Sequence, residues 1–371
     1  MDSSWALPTA TPAEVGMNGE RLAVIDDIVT QAIEQKLTPG AVVLVGHAGR
    51  VVYHKAFGMR CVEPALLPMT LDTLFDVASL TKPLVTAPLL MMLVEQGLVK
   101  LTATVAQYLP EFDVPDKKMI TLEQLLTHRA GLPPELSLAP CAQGRAACVQ
   151  FLARQPLAYA PGTSYIYTCQ GFFLLQMVIE KILGTTLDVA ARTLIFEPLH
   201  MHDTCFCPGA AVIERCAPCD HAAGVLLRGI VHDPAARALG GVSGNAGVFS
   251  TAADVAIFCQ MMLNEGEYHG VRILNRETVQ CMTSAGATPP ACARGLGWEI
   301  NSPRAFVARG DVFSVGTSYG HTGFTGVSLW LDPTTQTFVI FLSNRLHPDG
   351  KGDLKDVRSK VATIVAASIM K

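Results

Sequence analysis

Hydrophobic and polar positions change period several times along this chain, and the changes mark out its elements. Near the start, Met17–Gln35 carries apolar residues at helical spacing, which predicts an amphipathic helix. From Pro39 to Gly58 the pattern becomes a nearly continuous run of Val, Ala and Leu, broken at His47-Ala48-Gly49-Arg50. This predicts a hairpin of strands Ala41–Gly46 and Val51–Phe57. The far end mirrors it, with strand-like Val327–Leu331, a turn at Pro333-Thr334-Thr335, strand-like Phe338–Ser343 and a helical stretch Leu354–Met370. Between the two ends, Leu80–Gly97, Leu122–Leu126, Cys148–Arg154, Gln170–Leu183 and Ala252–Leu263 are helical by spacing. Pro/Gly-rich connections such as Gly131-Leu132-Pro133-Pro134 and Pro161-Gly162 join them.

This order predicts an α+β fold in two parts: a discontinuous antiparallel sheet domain from residues 1–78 and 268–371, flanked by N- and C-terminal helices, and a mainly helical inserted domain over 79–267. The active cleft is expected between them. With 371 residues, half of them hydrophobic, the chain can bury such a core without staples. The eleven cysteines read as small buried hydrophobes rather than a disulfide framework. Leu89–Leu93 and Met261–Leu263 read as helix cores, not as lipid or cofactor sites.

A net charge of -4 and the lack of any Lys/Arg block exclude the electrostatic footprint of a nucleic-acid or anionic-membrane binder. A small-molecule ester, amide or short-peptide substrate fits better. Met1-Asp2-Ser3-Ser4-Trp5 lacks the basic and apolar segments of a signal peptide, and no uninterrupted apolar run approaches the ~18 residues of a membrane span. A soluble cytoplasmic protein is therefore expected.

The strongest chemical signal is Ala78-Ser79-Leu80-Thr81-Lys82-Pro83, an S-x-x-K at the start of a predicted helix. Three-residue spacing puts Ser79 and Lys82 on one face, where an amine with a pKa lowered by desolvation could take the serine proton. Taken alone, the four residues are better explained by a capping Ser followed by a surface Lys, since so short a pattern arises often by chance. The surroundings extend the pattern. Phe75-Asp76-Val77-Ala78-Ser79-Leu80-Thr81-Lys82 resembles the nucleophile segment of class C β-lactamases, family VIII carboxylesterases and related penicillin-binding proteins. Leu125-Leu126-Thr127-His128-Arg129-Ala130-Gly131-Leu132-Pro133 is similar to that family's L-L-T-H-T-S-G-L, and 161–169 to its P-G-x-x-x-x-Y-S-N. Gly240–Ser250 and Tyr319-Gly320-His321-Thr322-Gly323 match later segments in family order.

The resemblance implies a β-lactamase/transpeptidase-like fold and an acyl-enzyme mechanism without cofactor or metal. Ser79 would be the nucleophile, Lys82 its activator, Tyr167 a proton relay and His321 the catalytic residue of the K-T-G position. The backbone N–H groups of Ser79 and Phe324 would form the oxyanion hole, and Cys169, Thr322 and Gly323 would line the substrate cleft. Tyr167 is preferred over Tyr165 by its place in the motif. Two departures bear on substrate: Cys169 stands where the family has Asn, which weakens amide recognition, and His321 stands where K-T-G has Lys, which removes a permanent cation. Both favour ester hydrolysis over β-lactam turnover. The alternatives are a D-amino-acid-recognising peptidase, a β-lactamase or an acyltransferase on the same fold, and, in a different class, a catalytically inactive binding protein.

Three further features are set aside. Gly316-Thr317-Ser318-Tyr319-Gly320 matches G-x-S-x-G, but a strand rather than a helix follows and too little chain remains for the acid and His partners. The cluster from His200 through Cys205, Cys207, Cys216 and Cys219 to His221 has zinc-ligand types but no standard finger spacing. Asn245 is expected to shape a tight turn rather than take part in chemistry.

Overall fold

The computed structural model describes residues 5–134, 138–286, 293–301 and 305–370. Residues 1–4, read from the sequence as lacking a signal-peptide pattern, lie outside them. Eight strands form the main sheet: β1 (Gly40–His47), β2 (Arg50–Cys61), β3 (Leu67–Pro68), β4 (Ala293–Arg294), β5 (Glu299–Asn301), β6 (Tyr319–Gly323), β7 (Val327–Asp332) and β8 (Thr337–Ser343). Their order is β4-β5-β6-β7-β8-β1-β2-β3, every pairing antiparallel. The two chain ends meet at the centre, where β1 runs against β8 from Ala41↔Ser343 to His47↔Thr337.

Alternate residues of these strands point to opposite faces. Ala41, Val43 and Val45, with Trp330, Val339 and Phe341, pack under the terminal helices α1 (Gly19–Glu34) and α2 (Lys355–Ala367). Val42 and Leu44, with Leu329, Leu331, Phe338, Ile340 and Leu342, face the helical part of the molecule. Both faces are covered, so the central strands read as unbroken apolar runs rather than as alternation. Each fully buried Val, Leu, Ile or Phe contributes about 1.5–3 kcal/mol.

The helices predicted as Leu122–Leu126, Gln170–Leu183 and Ala252–Leu263 occupy those ranges. Ala252–Leu263 lies in the stretch read as the helical insert, yet it packs on β1, β7 and β8. The single helix expected over Leu80–Gly97 is instead a 3-10 turn at Ala78–Leu80, a wide π-type turn at Lys82–Thr86 and then a regular helix at Ala87–Glu95. Pro83 and Pro88 explain the break, because neither has an N–H to continue the ladder. By length and composition Ala78–Glu95 could cross a bilayer, but it is no uninterrupted apolar run, and 83% of it is buried inside the protein as core.

Two features escaped the pattern. Edge strands β4 and β5 are too short to show a period. A small sheet joins Phe75–Asp76, Val248–Ser250 and Cys205–Phe206, clamping the segment that leads into Ser79.

Candidate active site

The turn carrying Ser79 is held from three directions. Asp76 is fully buried, and its carboxylate accepts the N–H of Ala78 at 2.8 Å and the N–H of His232 at 2.7 Å. The first of these bonds fixes Ala78 in a left-handed conformation, φ 47°, that a non-glycine residue rarely adopts. Thr325 Oγ1 donates to the Asp76 carbonyl at 2.7 Å, tying the loop after β6 to the same turn. Gly323 closes the third side: a Cβ there would lie 2.4 Å from Val327 Cγ2 and 2.8 Å from the Val77 carbonyl. Glycine lets the strand approach the turn that carries Ser79.

Ser79 itself is half-buried, and three residues on, Lys82 is completely buried beneath it. Lys82 Nζ lies 3.0 Å from Ser79 Oγ, 2.9 Å from the Asn245 carbonyl and 3.8 Å from Cys169 Sγ. Asn245 does shape a turn, through the bridge Ser243↔Ala246, but its carbonyl also anchors Lys82. The lowered Lys82 pKa expected from desolvation is not what the surroundings produce. Burial does oppose the ammonium, but the anionic forms of Cys169 and Tyr167 favour it, and the balance lies above the ordinary amine value.

Tyr167 packs its ring 5.1 Å from Lys82 Nζ and 4.4 Å from the His128 ring. His128 Nδ1 accepts the Thr168 N–H at 3.2 Å, which fixes the segment bearing Tyr167. Tyr165, two residues away, has its hydroxyl 3.3 Å from Arg294 Nη1 instead. Both phenol rings lie against His128 and Arg294, and of the pair it is Tyr167 that lines the cleft with Ser79.

His321 is buried, and both its ring nitrogens are engaged. Arg294 Nη2 lies 3.2 Å from Nε2, and Nδ1 lies 2.8 Å from the Thr322 carbonyl. A guanidinium only donates, so Nε2 accepts and Nδ1 carries the proton. Burial, reinforced by the charges of Arg294 and Lys82, holds the imidazole pKa well below its ordinary value. Arg294 is itself buried and pairs with Glu299 at 3.2 Å. Neither residue was singled out from the sequence. The available signal was two opposite charges five positions apart in the otherwise apolar, glycine-rich Arg294-Gly295-Leu296-Gly297-Trp298-Glu299.

Ser79, Tyr167, Thr322, Gly323 and Phe324 open onto one cavity of about 570 Å³, with Glu299 in its wall. Phe324 is 62% exposed and stacks on His232, with ring centroids 5.5 Å apart. The set-aside features lie elsewhere. Ser318 is buried, accepts Trp330 Nε1–H at 2.9 Å and donates to the Ser314 carbonyl. His200 stacks on Trp5 at 3.9 Å, and Cys207 donates to the Gly240 carbonyl. Among the described residues no three His, Cys, Asp or Glu side chains converge as metal ligands.

Comparison with known proteins places this geometry in context. The model of the family described as Beta-lactamase matches residues 25–362. The chain is 30% identical over 379 residues to a protein of Escherichia coli (strain K12) named "Putative D-alanyl-D-alanine carboxypeptidase", covering 92% of this chain and 86% of that one. It is 32% identical over 359 residues to the N-acetylmuramyl-L-alanine amidase of Bacillus subtilis (strain 168), covering 86% of this chain and 80% of the relative. In fold it resembles a class C beta-lactamase, with a TM-score of 0.77 and 19% identity over 95% of this chain and 97% of the other. It also resembles EstCE1, a hydrolase with promiscuous acyltransferase activity, with a TM-score of 0.75 and 23% identity over 94% and 99%.

Proposed function

The chain belongs to the Beta-lactamase family and is a serine hydrolase, and from that premise we propose that it is a carboxylesterase acting on small esters through a Ser79 acyl-enzyme. The observation that carries the proposal is the buried Lys82 amine 3.0 Å from Ser79 Oγ, beneath a cleft that Tyr167 also lines. Ser79 Oγ attacks the ester carbonyl and passes its proton to the Lys82–Tyr167 pair, which must be one proton short to receive it. The N–H groups of Ser79 and Phe324 hold the oxyanion. Collapse expels the alcohol, which takes the proton back through Tyr167, and water then repeats the sequence on the acyl-enzyme. No cofactor takes part.

Ester rather than amide chemistry is favoured by the two replaced groups. The Cys169 thiol offers little to a substrate amide, and His321 is neutral, with both nitrogens occupied. The second reading, amide hydrolysis on a short peptide by the same serine, draws support from the names of the relatives. Turnover of 4-nitrophenyl butyrate, the matched 4-nitroanilide, a chromogenic cephalosporin and a D-alanyl-D-alanine derivative separates the two. The ester is expected to lead in kcat/KM by roughly 10- to 100-fold, the value of one or two lost hydrogen bonds to the amide. A lead for the dipeptide would replace the esterase reading with the peptidase one.

A further inference from the structure

Two thiols that the reaction does not use are in contact away from the cleft. Cys141 ends the short helix Leu138–Cys141, and Cys148 lies in the first turn of the helix Arg145–Arg154. Both are completely buried, and their sulfurs stand 3.2 Å apart. Cys61, Cys207 and Cys216 instead donate to backbone carbonyls, of Glu63, Gly240 and Val212. A disulfide holds its sulfurs at about 2.05 Å, so this pair has only about 1 Å to close. The turn between them exposes Ala142 and Gln143 and pivots on Gly144 at φ 98°, which glycine adopts without strain. The Cys148 S–H donates to Cys141 and holds that thiol below its ordinary value against burial, while the same contact pushes Cys148 up. Cys141 is therefore the nucleophile of the two.

Both helices are tied to the segment that anchors Lys82. Leu138–Cys141 packs on the helix Pro234–Ala238. The N-cap of that helix, Asp233, accepts the Ala236 N–H at 2.7 Å and the Asn245 side-chain amide at 3.4 Å. On the other side Arg145, three residues before Cys148, pairs with Glu180 at 2.9 Å. Glu180 accepts Gln176 Nε2 at 2.9 Å, and Gln176 Oε1 accepts the Gly244 N–H at 2.9 Å. The two routes meet at Gly244-Asn245, whose carbonyls accept Thr86 Oγ1 at 2.7 Å and Lys82 Nζ at 2.9 Å. Joining the sulfurs draws the two helix ends together and pulls on both routes at once.

We propose that Cys141 and Cys148 are a thiol–disulfide switch on the hydrolase: oxidation by a peroxide joins them, shifts Gly244-Asn245 and loosens Lys82 beneath Ser79, which slows acylation. The inference rests on the Ser79 hydrolase reading and adds a regulation of that site. With hydrogen peroxide as oxidant the Cys141 thiolate attacks one oxygen and the O–O bond breaks. A sulfenic acid forms, and the departing hydroxide takes the thiol proton and leaves as water. The Cys148 sulfur then attacks the Cys141 sulfur, so the S–S bond forms and the S–O bond breaks, and the Cys148 proton leaves with that oxygen as a second water. Two thiols lose two electrons and two protons, and one peroxide becomes two waters. Excess dithiothreitol reverses the step by thiol–disulfide exchange.

The test follows the bond and the activity on one preparation of the intact protein. Arg145 separates the two cysteines, so trypsin places them in peptides 130–145 and 146–154. After hydrogen peroxide, with remaining thiols blocked by iodoacetamide, these peptides are expected as one cross-linked species lighter by two hydrogens than their sum. In parallel, kcat/KM for 4-nitrophenyl butyrate should fall by about fivefold or more, the low end of coupling between separate sites, and return with dithiothreitol. Cys141→Ser and Cys148→Ala should each keep the activity of the reduced wild type and lose both the cross-link and the peroxide response. Three results overturn the switch: separate alkylated peptides after peroxide, a cross-link that leaves kcat/KM unchanged, or a peroxide response that persists in both variants. The last would move the sensitive thiol to Cys169, 3.8 Å from Lys82 Nζ. Turnover by the reduced protein reads the hydrolase itself, and its absence removes that reading and the switch with it.

Discussion

Arg294 and His321 meet across 3.2 Å, guanidinium donor to imidazole acceptor, with both side chains inside the protein. The contact sets the tautomer of His321 and makes a second positive charge at that position costly. It explains how a histidine can stand at the lysine position of a K-T-G pattern: the permanent cation is present one layer deeper, already paired with Glu299.

His321→Lys should therefore not restore β-lactam turnover. An ammonium facing Arg294 is an uncompensated buried charge, and the substitution is expected to cost about 3–5 kcal/mol of unfolding free energy. Denaturant unfolding of the variant beside His321→Gln checks this, and equal midpoints for the two would contradict it.

The pH dependence of acylation should rise towards alkaline values without an imidazole limb between roughly pH 5 and 8. Lys82 holds its proton above the ordinary amine range, so the proton-short Lys82–Tyr167 pair grows in population as pH rises, while His321 and His128, both held well below their ordinary value, stay neutral. Burst kinetics with a 4-nitrophenyl ester across this range measures it, and Lys82→Met should lower the acylation rate by about 10²-fold or more.

Asp76→Ala should destabilise the protein by about 1–3 kcal/mol or more, because it strands the buried Ala78 N–H and removes the acceptor of the half-buried His232 N–H. The sign of its pH dependence follows from burial, which raises the carboxyl to about 6 from an ordinary 3.8. The stability contributed by the protonated form is full below about 4 and is lost as pH rises through about 6. Asp76→Asn, which does not titrate, should show a shallower decline across that window in parallel unfolding titrations.

Gly323→Ala should lower both stability and kcat/KM. The added methyl meets Val327 and the Val77 carbonyl, so either β6 or the Ser79 turn must move, at a cost of about 1–3 kcal/mol. Ester kinetics and thermal unfolding on one preparation report both effects, and normal kcat/KM would show that the turn tolerates the shift.

Much of this site was legible before any coordinates because its chemistry is local. Ser79 and Lys82 are three residues apart, and Tyr167 sits in a recognisable run, so the resemblance of these short segments to the family's motifs carried them. The central strands were legible for a related reason: β1 and β8 are buried on both faces and leave continuous apolar runs. Arg294 and Glu299 were not legible, because their roles arise only when edge strands of two and three residues join the sheet beside β6. Arg345 and Arg358, which line the same cleft, were hidden likewise, since they stand far apart in sequence and reach it by a loop and a helix start. The break in the helix after Ser79 was not legible from apolar spacing, which does not register that Pro83 and Pro88 each lack a ladder N–H.

The claim that Ser79 is the acylated nucleophile is tested most directly by intact-protein mass spectrometry after exposure to a fluorophosphonate and, separately, to 4-nitrophenyl acetate, comparing wild type with Ser79→Ala while 4-nitrophenol release is followed. One covalent adduct and steady release confined to the wild type is the expected result. Adduct and release persisting in Ser79→Ala would contradict it and place the nucleophile elsewhere.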